Sequence, residues 1–202
     1  MNTRLNLWEL RDKHHDVRKI QNDFHIRRVS ENNVNIISKA YRNEEIIQSR
    51  LKEGYTGYWI EQENKCIHVH WYAAGVYYLW DIRGNLIIPE GSYYIFDVYT
   101  APEYRRLGYS DVAITYSILE KIVSQTGTVY ALTQERNNAA NFMFARIGFK
   151  NSAGIRFIQI PPVRYYRIKN GYIIKRYIDI LKLHRDPLAI DLRKMININE
   201  IK

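Results

Sequence analysis

Residues 98–110, Val-Tyr-Thr-Ala-Pro-Glu-Tyr-Arg-Arg-Leu-Gly-Tyr-Ser, form the segment best equipped for chemistry in this chain. A strand-forming run breaks at Pro102 and passes through an Arg-Arg-x-Gly-x-Ser turn into a helical pattern. The first turn of a helix presents backbone N–H groups with no intrahelical partner, at the positive end of the peptide dipoles. Such a start suits an anion, and phosphate in particular. Gly108 lets the backbone come close, Ser110 is too small to block it, and Arg105 and Arg106 add side-chain charge. Two cations at a helix start oppose its dipole, so a bound anion accounts for them better than simple solvation does. The spacing is neither the glycine-lysine loop of nucleotide hydrolases nor the three-glycine dinucleotide fingerprint.

The elements that must position this segment follow from periodicity and punctuation. Residues 92–100 are aromatic and β-branched, which predicts a strand ending before Pro102. Val112, Ile114, Ile118, Leu119 and Ile122 predict a helix that ends before Gly127. Upstream, a short strand at 23–29 leads into a helix capped near Ser30, and a second helix spans 44–51. Strands then follow at 57–61, 66–73 and 76–81, the first two joined by a turn at Glu63, Asn64 and Lys65. Downstream come a strand at 128–132, a short helix from Asn137 to Arg146 closed by Gly148, and an extended segment toward 156–160. Strands followed by alternating strand and helix make an α/β domain with a mixed sheet.

Other side chains carry weaker signals. His68 and His70 share one face of a predicted strand, but no third ligand lies near them in sequence, so no metal is assigned. Cys66 in the same strand reads as a small core residue. Tyr outnumbers Phe by 17 to 6, and the pairs at 77–78, 93–94 and 165–166 fit sheet propensity better than a stacking pocket.

The chain has 202 residues, 30 Lys and Arg against 21 Asp and Glu, and 46% hydrophobic residues, a composition that excludes collagen-like and wholly disordered chains. A single cysteine leaves no internal disulfide framework. No apolar run reaches the ~18 residues of a spanning helix, and the first sixteen residues are charged, so a soluble, cytoplasmic protein is expected. Residues 161–202 hold ten Lys and Arg against four Asp and Glu, and so supply +6 of the formal +9. The expected organisation is therefore a catalytic-type domain at 1–160 and a basic extension at 161–202. In the extension Ile174, Tyr177, Ile178 and Leu181 share a helical face opposite Lys175, Arg176, Lys182 and Arg185, which predicts an amphipathic helix. That helix would dock on the domain, with contact to an anionic membrane surface or a homodimer partner as alternatives.

Two motifs resemble those of the GNAT superfamily of acyl-CoA N-acyltransferases. Thr100, Pro102, Tyr104, Arg105, Gly108 and Ser110 follow the superfamily's pyrophosphate loop, with Thr in place of Val and Ser in place of the last Gly or Ala. Asn137, Ala140, Phe144, Gly148 and Phe149 follow its Asn-x-x-Ala-x-x-x-Tyr-x-x-x-Gly-Phe helix. The resemblance is specific over 92–150, looser over 23–74, and absent from the first twenty residues and the tail.

This resemblance implies a GNAT-like mixed, mostly antiparallel sheet flanked by helices, with a V-shaped splay between the two central strands that receives acetyl-CoA or another acyl-CoA. Pantetheine would bond to the backbone of Val98, Tyr99 and Thr100. Pyrophosphate would sit on the N–H groups of Arg106, Leu107, Gly108, Tyr109 and Ser110, with Asn137 and Phe144 lining the other side. A primary amine, of a small molecule or a protein, would attack the thioester directly. Phe144 stands where many members carry the Tyr that protonates the leaving thiolate, and Phe cannot donate. Tyr109 and Tyr130 become the candidate acids, although a thiol of pKa ~8.5 needs little help to leave. Asp97, on the strand beside the implied thioester, is the candidate general base, against the alternative of a carboxylate paired with Arg or Lys. Two rivals stand beside this reading: acyl transfer from an acyl carrier protein, and a binding module that holds acyl-CoA without turnover. Nucleic acid is a weaker idea still.

Overall fold

The computed structural model describes residues 2–11, 24–122, 127–160, 163–170, 173–180 and 189–192. The chain divides into two compact units interleaved in sequence: one gathers 1–11, 74–93 and 127–202, the other 12–73 and 94–126.

In the first unit, strand β1 (Asn2–Leu10) lies between β8 (Val129–Gln134) and β9 (Lys150–Ile160), antiparallel to both. The sheet continues antiparallel through β10 (Val163–Asn170) to β11 (Ile173–Ile180). Strand β1 carries no element in the sequence reading, yet it buries Leu5, Leu7, Trp8 and Leu10. Its register against β9 shifts between Leu7 and Trp8. The slip moves the apolar residues from one parity to the other and so breaks the alternation that marks a strand. The Trp8 indole N–H donates to Thr133 Oγ1 at 2.8 Å, tying β1 to β8. A smaller sheet joins β5 (Val76–Leu79) to β6 (Gly84–Ile87), and β6 pairs in parallel with β12 (Ala189–Asp191).

The tail corrects an expectation. Residues 173–180 form β11, not an amphipathic helix, and pair with β10 from Asn170↔Ile173 to Val163↔Ile180. The Ile and Tyr residues that satisfy helical spacing are β-branched and aromatic, and an adjacent strand offers a full hydrogen-bonded edge, so the sheet prevails. The proposed membrane contact of that helix loses its basis. Leu181, Lys182 and Arg185 lie outside the described residues.

The second unit is an antiparallel sheet in the order β7-β4-β3-β2, made of β2 (His25–Arg28), β3 (Thr56–Gln62), β4 (Lys65–Ala73) and β7 (Tyr93–Thr100), of which residues 94–100 belong to this unit. The β3–β4 hairpin turns at Glu63 and Asn64, both with positive φ, as a two-residue primed turn requires. Ser30 opens a 3₁₀ turn at Glu31–Asn33, its N–H donating to Asn33 Oδ1 at 2.9 Å. Helices α1 (Val34–Ser38) and α2 (Glu44–Lys52) follow, and the Asn43 side chain caps α2 by accepting from the Ile46 N–H at 3.2 Å. Helix α3 (Tyr109–Ile122) buries Val112, Ala113, Ile114, Ser117 and Ile118. Each large aliphatic among them contributes roughly 1.5–3 kcal/mol of burial.

Candidate active site

The site begins at an irregularity in β7. Its pairing with β4 runs Tyr94↔Ala73, Ile95↔Tyr72 and Phe96↔Trp71, then resumes at Tyr99↔Val69 and Thr100↔His68, so Asp97 and Val98 together face His70. This is a β-bulge, and Asp97 takes a left-handed φ of 47° within it. Non-glycine residues in that region cost of order 1–3 kcal/mol and cluster at functional sites. Asp97 is held from several sides. Arg42 reaches both carboxylate oxygens at 3.4 Å, and Arg50 bonds Oδ2 as well as the Tyr41 hydroxyl. The Arg50 guanidinium lies 5.3 Å from the Trp71 ring centroid and 5.4 Å from that of Phe96. Burial pushes the Asp97 carboxyl up, but hydrogen bonds from Tyr41 and Arg50 and the charges of Arg50 and Arg42 outweigh it and hold the group below its ordinary value. A carboxylate so stabilised is a poor proton acceptor, so the paired alternative describes Asp97 better than the general-base reading does.

Beyond Thr100 the strand gives way. Ala101 N–H bonds Ile67 O at 3.0 Å, a 3₁₀ turn covers Pro102–Tyr104, and Arg106 and Gly108 take φ of 65° and 87°. The latter angle suits glycine, and Arg106 is a second non-glycine residue in the left-handed region. Gly108 O accepts the Val112 N–H at 3.2 Å, so the first turn of α3 starts there. Its leading amides have no intrahelical acceptors, as at any helix start. Arg105 Nε donates to Thr100 O at 3.1 Å, which fastens the guanidinium to the strand end. Arg105, Arg106 and Leu107 are exposed, whereas Ser110 is half-buried. The structure thus brings Val98, Tyr99, Thr100, Arg105, Arg106, Leu107, Gly108 and Ser110 into one strand-turn-helix segment.

Beneath Ser110 runs a chain of polar groups that the sequence reading leaves unconnected. Ser110 Oγ lies 2.8 Å from Thr100 Oγ1, which lies 2.9 Å from His68 Nδ1. His68 Nε2 is 3.0 Å from His70 Nδ1, and His70 Nε2 is 2.9 Å from Ser117 Oγ, which the Tyr72 hydroxyl also meets at 2.8 Å. Both imidazoles are fully buried between β4 and α3. Burial alone lowers His68 to about 3, and burial with the neighbouring His68 takes His70 well below its ordinary value, so both rings are neutral near pH 7. Cys66 shares their strand, and burial pushes its thiol up to about 12, which leaves it inert. Among the described residues no three His, Cys, Asp or Glu side chains are grouped to hold a metal ion.

Residues 83–158 match a family described as FR47-like protein. Solved structures share the fold. A putative acetyltransferase of the GNAT family from Novosphingobium aromaticivorans superposes with a TM-score of 0.54 at 12% identity, over 77% of this chain and 63% of that one. A GCN5-related N-acetyltransferase from Kribbella flavida gives 0.50 at 14% identity, over 76% and 57%. The chain has the GNAT fold. A further GNAT-fold neighbour, AAC(6')-Iy in complex with the bisubstrate analogue CoA-S-monomethyl-acetylneamine, gives 0.50 at 9% identity, over 64% of this chain and 92% of that one. The chain spans less than two thirds of the first two of these structures. No curated protein matches the sequence.

The remaining GNAT-derived candidates are placed as follows. The Tyr109 ring is sealed among Ile60, Ile67, Ala113, Phe24 and Tyr104, and its hydroxyl donates to Gln62 Oε1 at 3.4 Å. Its use as an acid would require the ring to leave that cluster. Tyr130 lies in the other unit, buried in β8, where loss of solvation raises its hydroxyl and makes it a reluctant donor. Also in that unit, the GNAT-like second motif forms α4 (Asn138–Ile147): Asn137 caps it by accepting from the Ala140 N–H at 3.1 Å, and Gly148 ends it with a left-handed φ of 101°. Phe144 is buried in edge contact with Phe149 at 5.0 Å. The residues missed by sequence reasoning are Arg42, Arg50 and Tyr41, on helices and turns far from β7 in sequence.

Proposed function

We propose that the chain is an N-acyltransferase, most simply an N-acetyltransferase, that moves an acyl group from acyl-CoA to a primary amine. The observation that carries this reading is the turn at Arg106 and Gly108, which ends β7 and delivers the first amides of α3 beside Arg105 and Ser110. A pyrophosphate accepts hydrogen bonds from those amides and charge from the two arginines. The backbone of Val98, Tyr99 and Thr100 continues from the cradle as the strand edge for the pantetheine amides. The amine lone pair attacks the thioester carbonyl carbon, the C–S bond breaks with its electron pair leaving on sulfur, and the nitrogen gives up its proton to solvent water. Asp97, held by two arginines, does not take that proton, and the amine enters as its neutral form. The thiolate leaves unassisted by Phe144, which the low basicity of a thiolate permits.

Phe144 and the paired Asp97 favour one second reading, a module that binds acyl-CoA without turnover. Calorimetric titration with acetyl-CoA and free CoA, followed by thiol release against a panel of amines, separates the two. Micromolar binding is expected, weakened at least tenfold in an Arg105→Ala, Arg106→Ala double variant, since each charge-assisted hydrogen bond lost costs about 1.4 kcal/mol or more. Binding without thiol release supports the module, and no binding to either ligand overturns both readings. Cytoplasmic location and an amine acceptor of small-molecule or protein origin belong to the same proposal. Among the described residues no helix is long and apolar enough to cross a membrane.

A further inference from the structure

The buried chain beneath the cradle has a direction that its own bonds determine. Ser117 Oγ donates to Ile114 O at 2.9 Å, so its single proton is committed and it accepts from the His70 and Tyr72 groups. His70 therefore carries its proton on Nε2, and its bare Nδ1 accepts from His68 Nε2. His68 Nδ1, bare in turn, accepts from the Thr100 hydroxyl, and Thr100 accepts from Ser110. Every donor points inward from the cradle to a fixed backbone carbonyl. In this state Ser110 turns lone pairs, not a proton, toward any anion above it, which is the wrong polarity for a phosphate.

One added proton reverses the outer half. With His68 protonated on both nitrogens, Nδ1–H donates to Thr100, Thr100 donates to Ser110, and Ser110 donates outward. The inner half, from His68 Nε2 to Ile114 O, is unchanged. An anion at the cradle also supplies the countercharge that the buried imidazolium lacks. We propose that anion binding at the start of α3 is coupled to uptake of one proton from solvent by His68, which switches Thr100 and Ser110 from acceptors to donors toward the bound phosphate. This regulation rests on the reading of the segment as a pyrophosphate cradle. The groups around the pair leave His68 as the site of uptake. From β4 these are Cys66, His70 and Tyr72; from β3, Tyr58, whose ring stacks on His70. From α3 they are Ser110, Ser117 and Asp111 in the first turn, and the Arg105 guanidinium bonds the backbone of Thr100. Burial pushes Cys66, Tyr58 and Tyr72 up, away from neutrality.

The test uses dephospho-CoA, whose pyrophosphate diester has no proton to gain near neutrality, titrated calorimetrically into the full chain between pH 5.5 and 8.5. Running each pH in buffers of different ionisation enthalpy counts the protons taken up. Wild type is expected to take up as much as one proton, with Kd tightening up to tenfold per pH unit as the pH falls. His68→Gln, and separately a Thr100→Val, Ser110→Ala double variant, which removes both hydroxyls that reach His68 Nδ1, at 2.9 and 3.5 Å, should show no proton uptake and a flat Kd. Binding by wild type with no proton uptake and no slope overturns the coupling and leaves the cradle standing. An unchanged slope in a folded His68→Gln variant overturns it too, because the proton is then taken up somewhere other than His68. Absence of binding at every pH overturns the cradle itself, and the coupling with it.

Discussion

Two neutral imidazoles buried side by side should make this protein acid-sensitive in a countable way. His68 and His70 are fully buried and held far below their ordinary values, whereas in the unfolded chain each titrates near ~6.5. Below that value the unfolded state binds protons that the folded state refuses, so stability rises with pH and is lost as pH falls from about 6.5 toward the lowered folded values. Each site costs ~1.36 kcal/mol per pH unit in that window. At pH 5 the pair removes roughly 4 kcal/mol of the stability present at pH 8, against a total of order 5–15 kcal/mol for a domain. Urea midpoints at constant m-value, from pH 8 to 5, read this directly. Most carboxylates of the unfolded chain are still ionised over that range, so they add little. His70→Gln should remove about half of the slope. A wild-type slope below one proton per pH unit between 6 and 5, or an unchanged slope in the variant, would refute the reasoning.

Three further outcomes follow from named contacts. Asp97→Asn should reduce kcat/KM by less than about tenfold and leave its pH profile in place, since a general base would contribute ~100-fold or more and set the acidic limb. Arg50→Ala should lower stability by about 3 kcal/mol in urea unfolding, because it strips Asp97 of a half-buried partner, and Arg50→Lys should recover only part for want of a planar fork. Gly57→Ala should cost about 1–3 kcal/mol, since the new methyl would lie 2.6 Å from Val29 Cγ2 and 3.0 Å from the Trp71 ring; a neutral result by thermal or urea unfolding would show that these neighbours shift freely.

Local signals carried the parts of the fold that local chemistry determines. The strand ending at Thr100, the helix that begins beyond Gly108 and the α4 caps at Asn137 and Gly148 were legible because proline, glycine and asparagine act within a few residues. Strand β1 is hidden by its bulge, and β11 reads as a helix in sequence because Ile174, Tyr177 and Ile178 sit at helical spacing and break the strand's period of two. The site shows the same division. Arg105 and Arg106 sit beside the glycine that explains them, but the pairing of Asp97 with Arg42 and Arg50 spans about fifty residues and leaves no mark on spacing. His68 and His70 were legible as a pair on one strand face, whereas their connection to Ser110 and Ser117 depends on how α3 lies across β4.

The interleaving of the two units has a consequence for synthesis on the ribosome. Strand β1 emerges first, yet both of its neighbours lie beyond residue 128. All of 12–73 and 94–126, by contrast, is present once residue 126 has appeared. For much of translation the stretch from Leu5 to Leu10 therefore lacks both of its strand partners, and the four apolar side chains that the fold buries there are without their cover. Holding it through that interval, by chaperone or by slow delivery of the later strands, is a requirement written into the order of the chain.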